Sequence, residues 1–442
     1  MVGRARIWAA VIGTMLAGVW LVPGATPVAR GAACHPESCA LAAAQGTTLT
    51  DFGGGIDRAN ALGVDPDGRI VAAGESTTGG MTDFAIARYL PDGTLDPSFG
   101  GNGTVLTNFG RSANGANAIA ILPGGRVVVV GYSGVEGAGF DFALARYRTD
   151  GQLDPSFGVG GLVITNFVDT RGVDVAKAVA IQADGRLVVS GYSGTYGEDF
   201  DFVVARFRRG GGLDRSFGGD GHVLTNFGGD DASQGVGIQP DGKIVAMGKS
   251  EQGGDFDFAL ARYLPDGSLD PSFGDGGRVR NALGGAGSFD YGLASGIDAR
   301  GRIIDAGKSD AAGSLDFALA RYKPNGRLDR SFGQNGVVLT DFGGDSVDVA
   351  NAIAVRPDGG IIAAGSSDAA GSSDLAIVSY LPDGTPDPAF GTGGMLLIDV
   401  SGAGSVDVAK AVILDGGLIL AGGFSDAGGT SDFVLAAIQP TN

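Results

Sequence analysis

The chain is poor in the residues that carry most enzyme chemistry. It holds two histidines, two cysteines and two tryptophans in 442 residues. No His-Glu-x-x-His, Cys-x-x-Cys or phosphate-binding loop occurs, which removes the common zinc, redox and nucleotide signatures. Cys34 and Cys39 stand near the N-terminus, where a disulfide would close only a small loop in an oxidising compartment. Basic residues are also scarce: 31 Lys and Arg against 49 Asp and Glu leave a formal net charge of −18. A surface of that sign disfavours nucleic acid and anionic lipid. It favours solubility and tolerates cationic partners. Helical signals are missing too, since no segment shows an apolar stripe of helical period with caps.

One long apolar run exists. Ile7–Val22 follows Arg4 and Arg6 and ends at Pro23-Gly24. It is short for a spanning helix and has the layout of an export signal. Residues 1–33 are expected to be a signal peptide and 34–46 a linker, with an uncleaved anchor as the alternative. Cys34 after Gly31-Ala32-Ala33 also resembles a lipoprotein cleavage site, without its usual leucine. The expected location is secreted or on the cell surface, with no membrane insertion after cleavage.

What the chain has in excess is glycine, 82 residues, and repetition. Asp-Phe recurs at Asp83, Asp141, Asp201, Asp257, Asp316 and Asp432, with Asp374-Leu375 between, at spacings of 56 to 60 residues. Leu-Asp-x-Ser-Phe-Gly falls at Asp96, Asp154, Asp214, Asp270 and Asp329, and loosely at Asp387. Such a period means one supersecondary unit stacked on its neighbours. Each unit reads as four short strands. The first two are joined by a tight turn such as Pro66-Asp67-Gly68 or Pro240-Asp241-Gly242. The second, as in Val127-Val128-Val129-Val130, is apolar enough to be buried on both faces. The third alternates large and small residues, as in Phe142-Ala143-Leu144-Ala145.

Four antiparallel strands repeated seven times predict an all-β, seven-bladed β-propeller over residues 47–440. A right-handed β-helix is the runner-up, but its coils are much shorter. The last unit stops after its third strand, at Leu435–Pro440, and the missing fourth strand stands at the other end as Thr47–Phe52. Pairing the two would close the ring and remove two open edges. A monomer is the expectation for a closed ring.

Motifs such as Leu95-Asp96-Pro97-Ser98-Phe99-Gly100 and Asp257-Phe258-Ala259-Leu260-Ala261-Arg262-Tyr263 resemble the bacterial delta-60 repeat family. The Pro240-Asp241-Gly242 core with its flanking strands is also similar to NHL-type repeats. The resemblance implies a propeller and a surface or secreted role, and it implies no activity and no catalytic residue. Arg280-Asn281-Ala282-Leu283 departs from the usual Leu-Thr-Asn-Phe, and Ser379 and Ala437 replace the third-strand arginine of Arg88, Arg146, Arg206, Arg262 and Arg321.

Three columns of residues bear on function. Asp57, Asn114, Asp174, Asp231, Asp290, Asp348 and Asp407 precede the inner strands. The aspartates of this column are the candidate metal ligands, with Ca²⁺ as the candidate ion; capping of their own loops is the competing reading. The Asp-Phe aspartates should crowd onto the same face. The third column varies: Asn60, Asn117, Lys177, Gln234, Leu293, Asn351 and Lys410. Its polar members, with Tyr291, are the candidate ligand-binding residues at the channel mouth, against the alternative of a hydrated channel. The unit around Phe289-Asp290-Tyr291 and Asp305 departs most from the consensus. His222 reads as structural. Gly131-Tyr132-Ser133-Gly134 and Gly191-Tyr192-Ser193-Gly194 resemble a nucleophile elbow, but Val135 and Thr195 replace its final glycine and no helix follows. The expectation is a non-enzymatic binding scaffold with an unknown protein or glycan ligand. A metal-assisted hydrolase or lyase using channel-face carboxylates is the alternative.

Overall fold

A computed structural model describes residues 46–439 except 136, 169–171, 286, 401, 403 and 427–428. The expected signal peptide, the linker up to residue 45, both cysteines and His35 lie outside the described residues. Those described form 28 strands and no helix, and none of their segments is a helix long and apolar enough to cross a membrane.

The strands follow one another in antiparallel sets of four. The first set is β2 (Ile56–Val64), β3 (Ile70–Thr78), β4 (Met81–Tyr89) and β5 (Thr104–Thr107). The second is β6 (Ala113–Ile121), β7 (Val127–Val135), β8 (Gly139–Tyr147) and β9 (Leu162–Thr165). The third is β10 (Gly172–Ile181), β11 (Leu187–Thr195), β12 (Phe200–Phe207) and β13 (His222–Thr225). The fourth is β14 (Asp231–Ile238), β15 (Ile244–Gln252), β16 (Asp255–Tyr263) and β17 (Arg278–Asn281). The fifth is β18 (Asp290–Ile297), β19 (Ile303–Ser309), β20 (Asp316–Tyr322) and β21 (Val337–Thr340). The sixth is β22 (Asp348–Val355), β23 (Ile361–Ser367), β24 (Asp374–Tyr380) and β25 (Met395–Ile398). The last is β26 (Asp407–Asp415), β27 (Leu418–Ser425) and β28 (Asp432–Ile438), with β1 (Thr47–Thr50) at its outer edge.

Strand β1 pairs antiparallel with β28, from Thr47↔Ala436 to Thr50↔Phe433. Phe52, just past the strand, packs on Phe433 with ring centroids 4.8 Å apart. Single parallel bridges, Thr82↔Ala113 and Val173↔Phe140, join the first three sets into one larger sheet. Among the described residues no sheet closes on itself. The sets are held face to face by side chains, and each first strand packs on the first strands of both neighbours, β2 on β26 as well as on β6.

The inner strands begin earlier than the sequence suggests. The aspartate column lies inside the strands, with Asp57 second in β2 and Asp231 first in β14. The polar stretch Asp57-Arg58-Ala59-Asn60 hides this start, because apolar alternation resumes only beyond it. Each inner strand also carries a β-bulge at one place: Asn60, Asn117, Lys177, Gln234, Leu293, Asn351 and Lys410 are the skipped residues. Facing each bulge is the glycine that ends the apolar run of the second strand. A Cβ on Gly131 would lie 1.9 Å from the Gly115 carbonyl oxygen, and one on Gly74 1.8 Å from that of Arg58. Only glycine fits there, so glycine and bulge form one device.

A second repeated device ties each set to the next. Arg146 Nε donates to Asp154 (2.9 Å), one terminal nitrogen to Ser156 Oγ (2.8 Å) and the other to the Arg209 carbonyl of the following set (2.5 Å). Its guanidinium lies over Phe157 at 4.6 Å. Arg88, Arg206, Arg262 and Arg321 repeat the pattern with Asp96, Asp214, Asp270 and Asp329. The Leu-Asp-x-Ser-Phe-Gly motif is therefore the socket of the third-strand arginine. Where Ser379 replaces that arginine, Arg356 reaches in from the second-strand turn to the Ser379 hydroxyl (3.1 Å) and the Tyr380 carbonyl (2.9 Å). Tyrosines add a tie between sets, as Tyr147 to Thr107 and Tyr89 to Thr50, both 2.8 Å.

Candidate functional site

The first aspartate column is buried and occupied with its own loops. One oxygen of each accepts the backbone N–H at the end of the preceding link: Phe52 for Asp57 (2.8 Å), Phe167 for Asp174 (2.8 Å), Phe227 for Asp231 (2.6 Å). Leu283 serves Asp290 (2.6 Å), Phe342 serves Asp348 (2.9 Å) and Val400 serves Asp407 (2.9 Å). Ser193 donates to the other oxygen of Asp174 at 2.5 Å. Burial pushes Asp174 and Asp231 up to about 6 against these hydrogen bonds. Loop capping is thus the role these contacts describe.

The Asp-Phe column splits the molecule in two. Asn108 donates to Asp83 (2.5 Å) and Asn166 to Asp141 (2.8 Å), while Arg280 pairs with Asp257 (2.5 Å). In three other units the residue after the outer strand is aspartate instead. Asp51 meets Asp57 and Asp432, Asp341 meets Asp316 and Asp348, and Asp399 meets Asp374 and Asp407, each trio with oxygens within 4.8 Å. Three carboxylates at that spacing favour a bound cation or a shared proton. Among the described residues, Asp57, Asp348 and Asp407 are the candidate metal residues that stand in trios, and Asp174, Asp231 and Asp290 do not.

The bulge column is buried rather than open. Asn60 donates to the Ala116 carbonyl (2.8 Å), Asn117 to Ala176 (2.8 Å) and Asn351 to Ala409 (3.0 Å). Each of these amides ties one inner strand to the next at its bulge. Gln234 and Leu293 are buried as well, and Lys177 and Lys410 are 7% exposed.

A further column runs along the second strands. In the otherwise buried second strands, the residue after the bulge-facing glycine is partly open in six of the seven sets. These residues are Glu75, Tyr132, Tyr192, Lys249, Lys308, Ser366 and Phe424, the last being just buried. Their cross-strand partners on the inner strands are Arg58, Gly115, Val175, Ala232, Tyr291, Val349 and Val408. Neighbouring residues of a strand point to opposite faces. Arg58 with Glu75 therefore serves a different surface from Asp57 with Ser76.

The contacts converge. Tyr132 donates to Glu75 at 3.2 Å, and Arg58 stands 3.9 Å from the same carboxylate and over Phe424 at 5.1 Å. Lys249 lies over the Tyr291 ring (3.6 Å) and the Phe256 ring (4.5 Å). Phe256, Phe289 and Tyr291 lie 5.0–5.6 Å from one another, and Lys308 is 5.7 Å from Tyr291. Burial holds Lys177 down to about 8, with Glu75 opposing. Burial takes Lys410 to about 7, helped by Arg58, Lys177 and Lys308. Burial also takes Lys249 to about 7, opposed by Asp230 and helped by Lys177 and Lys308. These cations come from different sets and still feel one another. Burial raises Glu75, against Arg58, Tyr132, Lys177 and Lys410.

Sequence reasoning named Lys177, Lys410 and Tyr291 of this group. It missed Arg58, Glu75, Tyr132, Tyr192, Lys249 and Lys308. The signal was present: a position reading Glu, Tyr, Tyr, Lys, Lys, Ser, Phe between glycine and serine that never change. Asp305 stands apart from the mouth residues. It is 1% exposed, no side chain donates to either oxygen, and burial raises it well above the carboxylate range against the nearby Ala306 backbone N–H.

Six segments match a family model described as "Domain of unknown function (DUF5122) beta-propeller": residues 66–99, 123–157, 182–217, 239–273, 301–332 and 356–390. No curated protein matches the chain. Among solved structures, the chain is similar to a catalytically inactive virginiamycin B lyase from Staphylococcus aureus with quinupristin. That likeness has a TM-score of 0.48 at 8% identity, over 88% of this chain and 99% of that one. It is also similar to polysaccharide lyase Uly1, with a TM-score of 0.47 at 10% identity over 86% and 90%. Sqt1 from Chaetomium thermophilum, bound to the N-terminus of a ribosomal protein, gives 0.46 at 12% identity over 88% and 98%.

Proposed function

We propose that this chain, a β-propeller repeat protein with units of delta-60 type, is a seven-bladed ring closed by β1 and acts as an exported, non-enzymatic binding scaffold. The pairing of β1 with β28 and the packing of β2 on β26 support closure. Residues 1–33 would direct export and leave the propeller outside the cytoplasm. The ligand sits at the mouth lined by the glycine-following residues and their inner-strand partners.

One observation carries this reading. The glycine opposite the bulge, the capping aspartate and the arginine socket recur from unit to unit, whereas the mouth pairs differ in every unit. A rigid, repeated frame that presents an unrepeated set of polar and aromatic groups has the make-up of a binding site. A hydrolase or lyase driven by metal and carboxylates is the second reading, and the three aspartate trios favour it. Those trios use the Asp57 face of the strands, while the mouth cluster itself holds one carboxylate, Glu75, among the described residues.

The test is a screen of the purified protein against glycan, lactone and ester compounds, reading turnover and retention together. Retention without turnover, lost in Tyr291→Ala, is the expected result. Turnover abolished by a chelator would reverse the choice.

A further inference from the structure

The sequence contains six lysines: Lys177, Lys243, Lys249, Lys308, Lys323 and Lys410. Two of them share one aromatic cluster where the fourth and fifth sets meet. Lys249 follows the bulge-facing glycine of β15 and Lys308 that of β19, and both are partly open. The Lys249 nitrogen stands 3.6 Å from the centre of the Tyr291 ring and 4.5 Å from that of Phe256. Lys308 reaches the same tyrosine at 5.7 Å and Phe289 at 5.8 Å. Phe289 stacks on Tyr291 at an interplanar angle of 21°, and Phe256 tilts against both. All three rings are partly open as well.

Among the described residues, neither lysine makes a hydrogen bond or an ion pair, and ring faces are their contacts. Lys243 shows the opposite case, ion-paired with Asp241 and Asp270 at 3.2 Å each. An amine without a carboxylate against it, set among rings and beside a second cation, favours its neutral form. The ring faces favour the ammonium, with the smaller pull at a partly open site. Burial, opposed by Asp230 and Glu251 and helped by Lys177 and Lys308, takes Lys249 to about 7. A neutral amine is a nucleophile toward a carbonyl carbon, and lysines desolvated or set beside another cation are those that form imines. A group attached to the Lys249 nitrogen would lie within van der Waals reach of Tyr291, since the nitrogen itself is 3.6 Å from the ring centre. Aromatic faces reward a flat ring there.

We infer that Lys249 is a carbonyl-capturing amine, which forms an imine with an aldehyde carried on a flat ring while Tyr291, Phe256 and Phe289 hold that ring. Lys308 is a positioning residue whose charge helps to keep the amine free of its proton. The inference rests on the binding-scaffold reading above and names the ligand class of that site, since the capture is reversible and needs no turnover. The lone pair of Lys249 Nζ attacks the carbonyl carbon and forms the C–N bond. The π pair moves to oxygen, which takes a proton from the nitrogen. The hydroxyl then leaves with the second nitrogen proton as water, and the C=N bond forms. Neither partner is oxidised or reduced.

The experiment is reductive trapping. The purified protein is incubated with benzaldehyde or propanal and cyanoborohydride from pH 6 to 10, and each lysine is followed by peptide mass spectrometry. Lys323 is exposed and serves as the internal reference. At pH 7, benzaldehyde should label Lys249 at least about tenfold faster than Lys323, the effect of one pKa unit on the neutral fraction. That advantage should shrink toward pH 10, where ordinary lysines also lose their proton. Lys308→Gln should move the rise of Lys249 labelling to higher pH. Tyr291→Ala should remove the preference for benzaldehyde over propanal at Lys249, with Lys323 unchanged. The buried Lys177 and Lys410 should label no faster in the variants than in the parent, which shows that the fold is kept. Labelling of Lys249 no faster than that of Lys323 at pH 7 overturns the inference, and retention of a compound in the screen above would then leave the scaffold reading standing. Propanal labelling Lys249 as fast as benzaldehyde overturns the ring-borne ligand. An unmoved profile in Lys308→Gln overturns the role of that lysine.

Discussion

The outer part of each unit and its mouth are built from the same strands on opposite rules. Outside, the arginine socket uses one set of partners five times: the same aspartate, the same serine, the same phenylalanine and a carbonyl of the next unit. At the mouth, no two neighbouring units share both members of the cross-strand pair. Satisfied, buried and repeated groups hold the frame. Varied, half-buried and mutually repelling groups are tolerated where the frame can carry their cost. The difference separates residues that hold the frame from those that the proposed ligand would meet.

The largest effect should come from breaking a socket. Arg146→Ala takes from Asp154 its buried cation, leaving the half-exposed Arg126 at 3.4 Å, and removes the link to Arg209, at a cost of about 3–5 kcal/mol. Chemical denaturation would show it, and a loss within the range of a surface substitution would erase the contrast with the mouth.

Asp305 sharpens the comparison from the other side, as a variation away from the mouth. Ala72, Ala246, Ala363 and Ala421 stand at the same place in other units. Asp305→Ala removes a buried carboxyl to which no side chain donates and should gain about 1–3 kcal/mol at neutral pH. A loss of stability would assign that carboxyl a partner.

The pH profile should show both kinds of aspartate. Asp174 and Asp231 are raised by burial to about 6, against about 3.9 in an unfolded chain. The folded state then binds more protons between these values. Their contribution is present below about pH 4 and lost as pH rises through 6. The socket aspartates run the opposite way. Burial alone would raise Asp154, Asp214 and Asp270, but serine and arginine hydrogen bonds bring them to about 2. Their contribution is present above about pH 4 and lost as pH falls toward 2. The melting temperature should peak near pH 4 to 5, and Asp174→Asn should flatten the decline toward neutrality. A melt that is level from pH 5 to 7 would contradict this.

A smaller effect concerns the trios. Asp341→Asn restores the amide that Asn108 supplies to Asp83, so it should stabilise the calcium-free protein by about 1 kcal/mol. Millimolar Ca²⁺ should raise the melting temperature of the parent and not that of a variant carrying Asp51→Asn, Asp341→Asn and Asp399→Asn. Equal shifts in both proteins would place the ion elsewhere. The smallest effect belongs to the mouth: Lys308→Gln should change stability by no more than about 0.5 kcal/mol, and a loss near that of Arg146→Ala would make the mouth part of the frame.

The sequence by itself determined the repeat, the four strands of each unit and the tight turns, because these depend on local chain properties. Period-two alternation in Phe142-Ala143-Leu144-Ala145, the apolar run Val127–Val130 and the turn glycines act within a few residues. It also marked the N-terminal strand as the partner of the last unit, since Thr47–Phe52 repeats Thr104–Phe109 in kind. Only the tertiary structure decided that the varied inner-strand column sits on β-bulges, that Asn60, Asn117 and Asn351 spend their amides on the next strand, and that Asp154 is the socket of Arg146. It alone brought Lys249 and Lys308, from different units, to the one ring of Tyr291. The reason is physical. Strand propensity is settled by neighbours along the chain, while the meeting of charges depends on which ends of distant strands the packed frame turns toward one mouth.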